Sequence, residues 1–301
     1  MDPRGPAATG VSSSSGETTG DRARTVNTPL RVGRDGVLRL ELERRGTRTV
    51  IAGCRWTLPL QILAPVAVDD AALVVSVLNP TGGLVGGDRL DVEVTLGPGA
   101  HACLTTPSAT KVYRTAGETA EQDVRLRVGP GATLEWVPDH TIPFAGSAFR
   151  QCIQAELAPG AGLILVDAFA AGRVARGEAW RFDRLESAVA VRDAAGWIFR
   201  DRLALRGGRG WSGLGFAEGH AYVATLAVIG DVDLEPFRRE AAASLAARGD
   251  VSAGVGVLPR GGVVLRLLAA AAPALIESID AAWARARAAL RGAPPLALRK
   301  P

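Results

Sequence analysis

The chain has 301 residues, 47% of them hydrophobic and 22% charged, with a formal net charge of +4 and only 5% aromatics. That apolar content supports a packed core of alanine, valine, leucine and glycine and excludes global disorder. The positive charge sits on arginines scattered among acids, and no basic run alternates with aromatics, which argues against nucleic-acid binding.

Residues 1–28 are rich in Gly, Ser, Thr and Pro and lack an apolar h-region, so they read as a disordered tail and not as a signal peptide. Residues 29–301 read as a single β-rich domain. Leu38, Leu40 and Leu42 alternate with Arg39, Glu41 and Glu43. Leu90, Val92, Val94 and Leu96 alternate with Asp91, Glu93 and Thr95, and Val124, Leu126 and Val128 with Arg125 and Arg127. Period-two alternation places one set of side chains inside and the other in water. A strand–turn–strand unit recurs around Pro98-Gly-Ala, Pro130-Gly-Ala and Pro159-Gly-Ala, roughly every 30 residues. Strand pairs at such a period predict stacked layers, a β-solenoid, with a meandering sandwich as the alternative.

The C-terminal part changes character. Residues 234–247 and 272–291 are rich in alanine and leucine with interleaved charges, and both read as helices, with Gly249 and Gly292 at the expected C-caps. Residues 254–268 between them return to a strand pattern. The predicted fold is mainly β: a β-helical, solenoid-like stack of strands with two helices towards the C-terminus. No stretch reaches membrane-span length, since the most apolar, 263–276, is broken by Arg266 and Pro273. The three cysteines, Cys54, Cys103 and Cys152, have no CxxC spacing, which argues against a disulfide scaffold or a structural zinc site. The expected compartment is the cytoplasm.

Residues 79–88, Asn-Pro-Thr-Gly-Gly-Leu-Val-Gly-Gly-Asp, are the densest cluster of special residues. The glycines could cradle a phosphate, but no Gly-Lys-Ser/Thr and no helix pattern follows, so a tight inter-strand turn before Asp88 is favoured. Ser108-Ala-Thr-Lys111 matches the Ser-x-x-Lys of penicillin-binding enzymes without their other motifs. His101, Cys103 and Thr105 share one face of a strand, and His with Cys can bind a borderline metal, yet two ligands on one strand make no stable site. Glu135, Asp139 and His140 gather three potential proton or metal ligands within six residues. No nucleophile–base–orienter set emerges, so the chain does not read as an enzyme.

Residues 80–88, residues 97–114 (Gly-Pro-Gly-Ala-His-Ala-Cys-Leu-Thr-Thr-Pro-Ser-Ala-Thr-Lys-Val-Tyr-Arg) and residues 134–138 (Leu-Glu-Trp-Val-Pro) together resemble the urease accessory protein UreD family, called UreH in some organisms. The likeness continues through residues 201–205 and the last predicted helix, and covers about 36–301. The resemblance implies a non-catalytic, β-helical chaperone that helps insert nickel into apo-urease. It implies UreF, the GTPase UreG and the urease apoprotein as partners, an internal channel, and nickel as transient cargo with no tightly bound cofactor. Asp88, Thr105, Thr106, Lys111, Tyr113 and Glu135 stand at family-motif positions and are the candidates for nickel passage or docking, with Asp88 and Glu135 expected to face a water-filled passage. His101, Asp139 and His140 are weaker candidates. Cys103 stands where the family more usually has a plain apolar residue. The competing readings are a hydrolase using Ser108 and Lys111, and a purely structural β-solenoid scaffold.

Overall fold

A computed structural model describes residues 34–68, 72–115, 117–208, 210–211, 213 and 215–298. The tail expected at 1–28 lies outside these residues. In chain order the strands are β1 (Asp35–Arg45), β2 (Arg48–Trp56), β3 (Gln61–Ile62), β4 (Val66–Ala67), β5 (Leu73–Leu78) and β6 (Arg89–Leu96). Next come β7 (His101–Thr105), β8 (Thr110–Val112), β9 (Ala120–Val128), β10 (Thr133–Val137), β11 (Thr141–Pro143) and β12 (Ala148–Leu157). Then follow β13 (Gly162–Ala170), β14 (Arg184–Asp193), β15 (Gly196–Arg206) and β16 (Tyr222–Ile229). The chain ends with α1 (Glu235–Ala246), β17 (Val251–Val257), β18 (Val263–Ala269) and α2 (Ala272–Arg291).

The Pro-Gly-Ala turns are the corners of a solenoid of about four turns. Each carries the chain from a long strand of one sheet into a strand of the other: β6 to β7, β9 to β10, β12 to β13. Pro sits at the second turn position and a glycine with φ of +64° (Gly99), +61° (Gly131) or +69° (Gly160) at the third, the type II pattern. The corners stack by backbone hydrogen bonds: Gly99 N–H donates to Pro130 O at 2.9 Å, and Gly131 N–H to Pro159 O at 3.1 Å. Consecutive coils are therefore parallel, with β1–β6–β9–β12–β14 in the first sheet and β5–β7–β10–β13 in the second.

Antiparallel strands finish both sheets. β2 and β15 fold back on the ends of the first, and β16, β18 and β17 extend the second. Leu38, Val92, Val124, Ile153 and Val189 point inward from the first sheet to meet Leu104, Leu134 and Leu165 of the second in one apolar core. The second sheet also buries its other face, through Cys103, Val137, Ile164, Leu226 and Leu265, beneath Phe237 of α1 and Leu275, Ile279 and Trp283 of α2. Strands covered on both sides lose the alternation of a half-solvated sheet, which is why β7 and β10 are buried at every position.

Both helices lie where the sequence places them. Gly292 caps α2 with φ +62° and donates its N–H to Ala288 O. Gly249 does not cap α1: the helix closes at Ala247 in ordinary right-handed geometry. The strand pattern of 254–268 resolves into the β17–β18 hairpin. No helix among the described residues is long and apolar enough to cross a membrane.

Candidate functional site

The two sheets part at one side of the solenoid to leave a cleft of about 310 Å³. Its rim includes Asn79, Thr105, Thr106, Lys111 and Asp139, brought together because β7, β8 and the 138–140 segment lie in adjacent coils. Thr105 Oγ1 donates to Val137 O at 2.7 Å, and Thr106 Oγ1 accepts from Asp139 N–H at 2.9 Å. These bonds tie one coil to the next at the rim.

At the floor the apolar core gives way to a line of polar side chains. Gln122 of β9, Gln151 of β12 and Ser187 of β14 are register partners on the inner face of the first sheet. Asp167 of β13, Thr225 of β16 and Arg266 of β18 are register partners on the second. The lines meet at Asp167, whose carboxylate accepts from Gln151 Nε2 at 2.9 Å and from Ser187 Oγ at 2.7 Å. Gln122 Nε2 donates to Gln151 Oε1 at 3.1 Å. Beyond Asp167, Asp201 of β15 accepts from Thr225 Oγ1 at 3.4 Å and pairs with Arg266, whose side chain is half exposed. A polar seam thus crosses the core from the cleft to the β15–β18 side. Burial pushes the Asp167 carboxyl up to about 6, against the pull of its bonds to Ser187 and Gln151.

Gln122, Gln151, Asp167, Ser187 and Thr225 were not singled out from the sequence, although a signal was present. Gln122 shares its phase with Val124 and Leu126, Gln151 with Ile153 and Ala155, and Asp167 with Leu163 and Leu165. A polar residue in the inward phase of a two-sheet core costs free energy unless it is hydrogen-bonded. Several such residues at one level mark a built feature.

Asp88 and Glu135 do not line the cleft. Asp88, 3% exposed, accepts from Arg34 N–H at 2.8 Å and Val85 N–H at 2.9 Å, so its carboxylate fastens the glycine-rich loop to the start of β1. The glycines are demanded by proximity: a Cβ on Gly83 would lie 2.5 Å from Lys111 O, and one on Gly86 would lie 2.9 Å from Glu118 O. Freed of side chains, the loop pairs Leu84 with Val112 of β8 in an isolated parallel bridge.

Glu135 lies on the opposite, helix-covered face of the second sheet. It is fully buried and binds three partners: His101 Nε2 at 2.5 Å, Trp283 Nε1 at 2.6 Å, and the Arg287 guanidinium. Arg287 Nε also donates to Pro294 O at 2.9 Å, so the cluster ties both α2 and the chain beyond it to the solenoid. His101 is thereby drawn into the same cluster. Cys103, on the same strand, joins the apolar contacts under the helices.

Tyr113 donates its hydroxyl to Gly82 O at 3.1 Å and stacks edge-on with Phe144, and His140 stacks edge-on with Tyr222. Ser108 is exposed in the loop between β7 and β8, and Lys111 is on β8. Without a helix to align them, the pair lacks the geometry of a Ser-x-x-Lys nucleophile. Among the described residues no group of three or more His, Cys, Asp or Glu side chains could hold a metal ion.

The model of the UreD urease accessory protein family matches residues 34–301. The urease accessory protein UreD of Deinococcus radiodurans is 35% identical over 92% of this chain and 99% of its own length. Those of Haloarcula marismortui and Alkalilimnicola ehrlichii are 36% and 35% identical, each over 89% of this chain and 91% of their own. With the family model spanning the whole solenoid and both helices, the chain belongs to the UreD urease accessory protein family.

Proposed function

We propose that this chain helps incorporate nickel into the urease active site, acting without catalysis of its own in a cytoplasmic complex with UreF and the GTPase UreG that docks on the urease apoprotein. Membership of the UreD family supports the broader role in urease maturation. The observation that carries the finer reading is the polar seam at the floor of the cleft. A core between two apolar sheets is most stable when filled with apolar side chains, yet this one keeps Gln122, Gln151, Asp167 and Ser187 at a single level. Oxygen donors of this kind hold a divalent cation weakly and release it quickly, which suits passage better than storage.

Thr105, Thr106, Lys111 and Asp139 stand at the entrance, and Asp167 is the one carboxylate on the cleft floor among the described residues. Asp88 and Glu135 act at a distance, by holding the loop and the helix that frame the solenoid. The test is co-expression of apo-urease with UreF and UreG in nickel medium, with and without this chain. Urease activity dependent on the chain is expected, and equal activity in both overturns the proposal.

A further inference from the structure

The outer face of the first sheet is a mosaic of neutralised charge. Arg39 pairs with Asp91 and Glu93, Arg125 with Asp91, Arg127 with Glu93, Arg150 with Glu121, and Arg192 with Glu156. Each arginine meets a carboxylate on a neighbouring strand, as cross-strand pairing favours. The pattern stops at the two edge strands, at Arg55 of β2, which lies opposite Arg39, and along a longer row on β15. Arg200 lies opposite Ala190, Arg202 opposite Ala188, and Arg206 opposite another arginine, Arg184. All three are exposed, and no ion pair involves them among the described residues. Trp197, 51% exposed, stands at the head of the row with the Arg200 guanidinium 5.2 Å from its ring centroid.

Strand addition does not explain this row, because side chains of the molecule already occupy edge groups of β15. Arg202 N–H donates to Asp201 Oδ1 at 2.8 Å, Trp197 O accepts from Arg260, and Arg206 O accepts from Trp211 Nε1 at 2.6 Å. What remains on offer is the face itself, with Arg200 and Arg202 about 7 Å apart along the strand, Arg206 about 13 Å further on, and an aromatic beside them. Uncompensated like charges repel in the free protein, whereas a partner with matching carboxylates relieves the repulsion. Exposed Trp and Arg together are also the residue types that anchor protein interfaces. The row is one strand wide and flanked by Glu186 and Asp193, too narrow a basic field for a nucleic-acid duplex.

We infer that the outward face of the β14–β15 hairpin, through Trp197, Arg200, Arg202 and Arg206, docks an acidic surface of a protein partner. The partner presents carboxylates about 7 Å apart, the spacing of alternate strand positions. The inference rests on the proposed function only in taking that partner from the urease-maturation assembly.

The test uses the immobilised full-length chain and apo-urease, UreF and UreG as analytes, singly and mixed, at low and high salt. Arg200→Glu/Arg202→Glu is compared with wild type and with Arg239→Glu/Arg291→Glu, which changes net charge equally at exposed sites on the helices. The hairpin variant is expected to bind at least one of the three proteins roughly tenfold or more weakly and to lose most of the salt dependence, while the helix variant binds as wild type. Unchanged binding of the hairpin variant overturns the inference and leaves the functional reading standing. Equal weakening of both variants also overturns it, since binding then follows overall charge. Tighter wild-type binding to a duplex DNA probe than to any of the proteins, lost in the hairpin variant, reassigns the face. A wild-type chain that binds none of the three proteins overturns this inference and the functional reading together.

Discussion

The first sheet turns its outward side chains to water, and the second turns the equivalent positions towards two helices. Outward on the first sheet stand Arg39, Asp91, Arg125 and Arg150, linked across strands by ion pairs at partly exposed sites. Outward on the second stand Cys103, Val137 and Ile164, and among them the single carboxylate of Glu135. The strand period is the same in both, but the consequence of a charge is not. In the open sheet water solvates each group and a lost pair is replaced cheaply. Under α2 the carboxylate is shut off from solvent, and Glu135 carries three protein partners, two of them on a helix 148 and 152 residues further along the chain.

The largest expected effect probes that difference. Glu135→Ala leaves the Arg287 cation buried without its carboxylate and should destabilise the fold by about 3–5 kcal/mol in urea unfolding. Replacing both members, Glu135→Leu with Arg287→Met, should recover only part of that loss, because Trp283 Nε1 and His101 Nε2 still lose their acceptor. A single-variant cost below about 1 kcal/mol would erase the distinction between the sheets. Next in size, Leu275→Ala removes a fully buried contact of α2 with the second sheet and should cost about 3 kcal/mol in the same assay.

Asp167 gives a smaller effect with a defined sign. Its carboxyl is pushed up from 3.8 to about 6 in the folded chain, so the folded state holds this proton more tightly than the unfolded state. The contribution to stability is full below about pH 4 and is lost as pH rises through about 6. Asp167→Asn does not titrate. Wild type should therefore lose roughly 2–3 kcal/mol relative to the variant between these limits, read as the difference between two unfolding series. The smallest effect belongs to the open sheet. Arg125→Ala, which breaks the pair with Asp91, should cost under about 1 kcal/mol and less at high salt.

Much of the architecture was legible from local signals. The Pro-Gly-Ala turns marked the corners because Pro and a positive-φ glycine are required there. The alternation around Leu38, Val92 and Val124 gave the inward face of the first sheet. The alanine-rich runs gave α1 and α2 nearly to the residue, although Gly249 promised a cap that Ala247 makes unnecessary. The site was harder to read. Motif residues Thr105, Thr106 and Lys111 do reach the cleft, but Asp88 and Glu135 serve the framework. The seam lay hidden because Gln122, Gln151, Asp167 and Ser187 come from four separate strands. Each is a lone polar residue in an inward phase, and only the stacking register of the coils places them at one level.

Asp167→Asn tests the nickel-passage account most directly, because it removes the charge while keeping the side chain's shape. The measurement is nickel content and activity of urease matured in cells with this variant in place of wild type, alongside recovery of the complex with UreF and UreG. The account predicts an intact complex and urease with several-fold less nickel and activity when nickel is limiting. Wild-type loading and activity with the variant would contradict passage along the seam and leave the solenoid a scaffold.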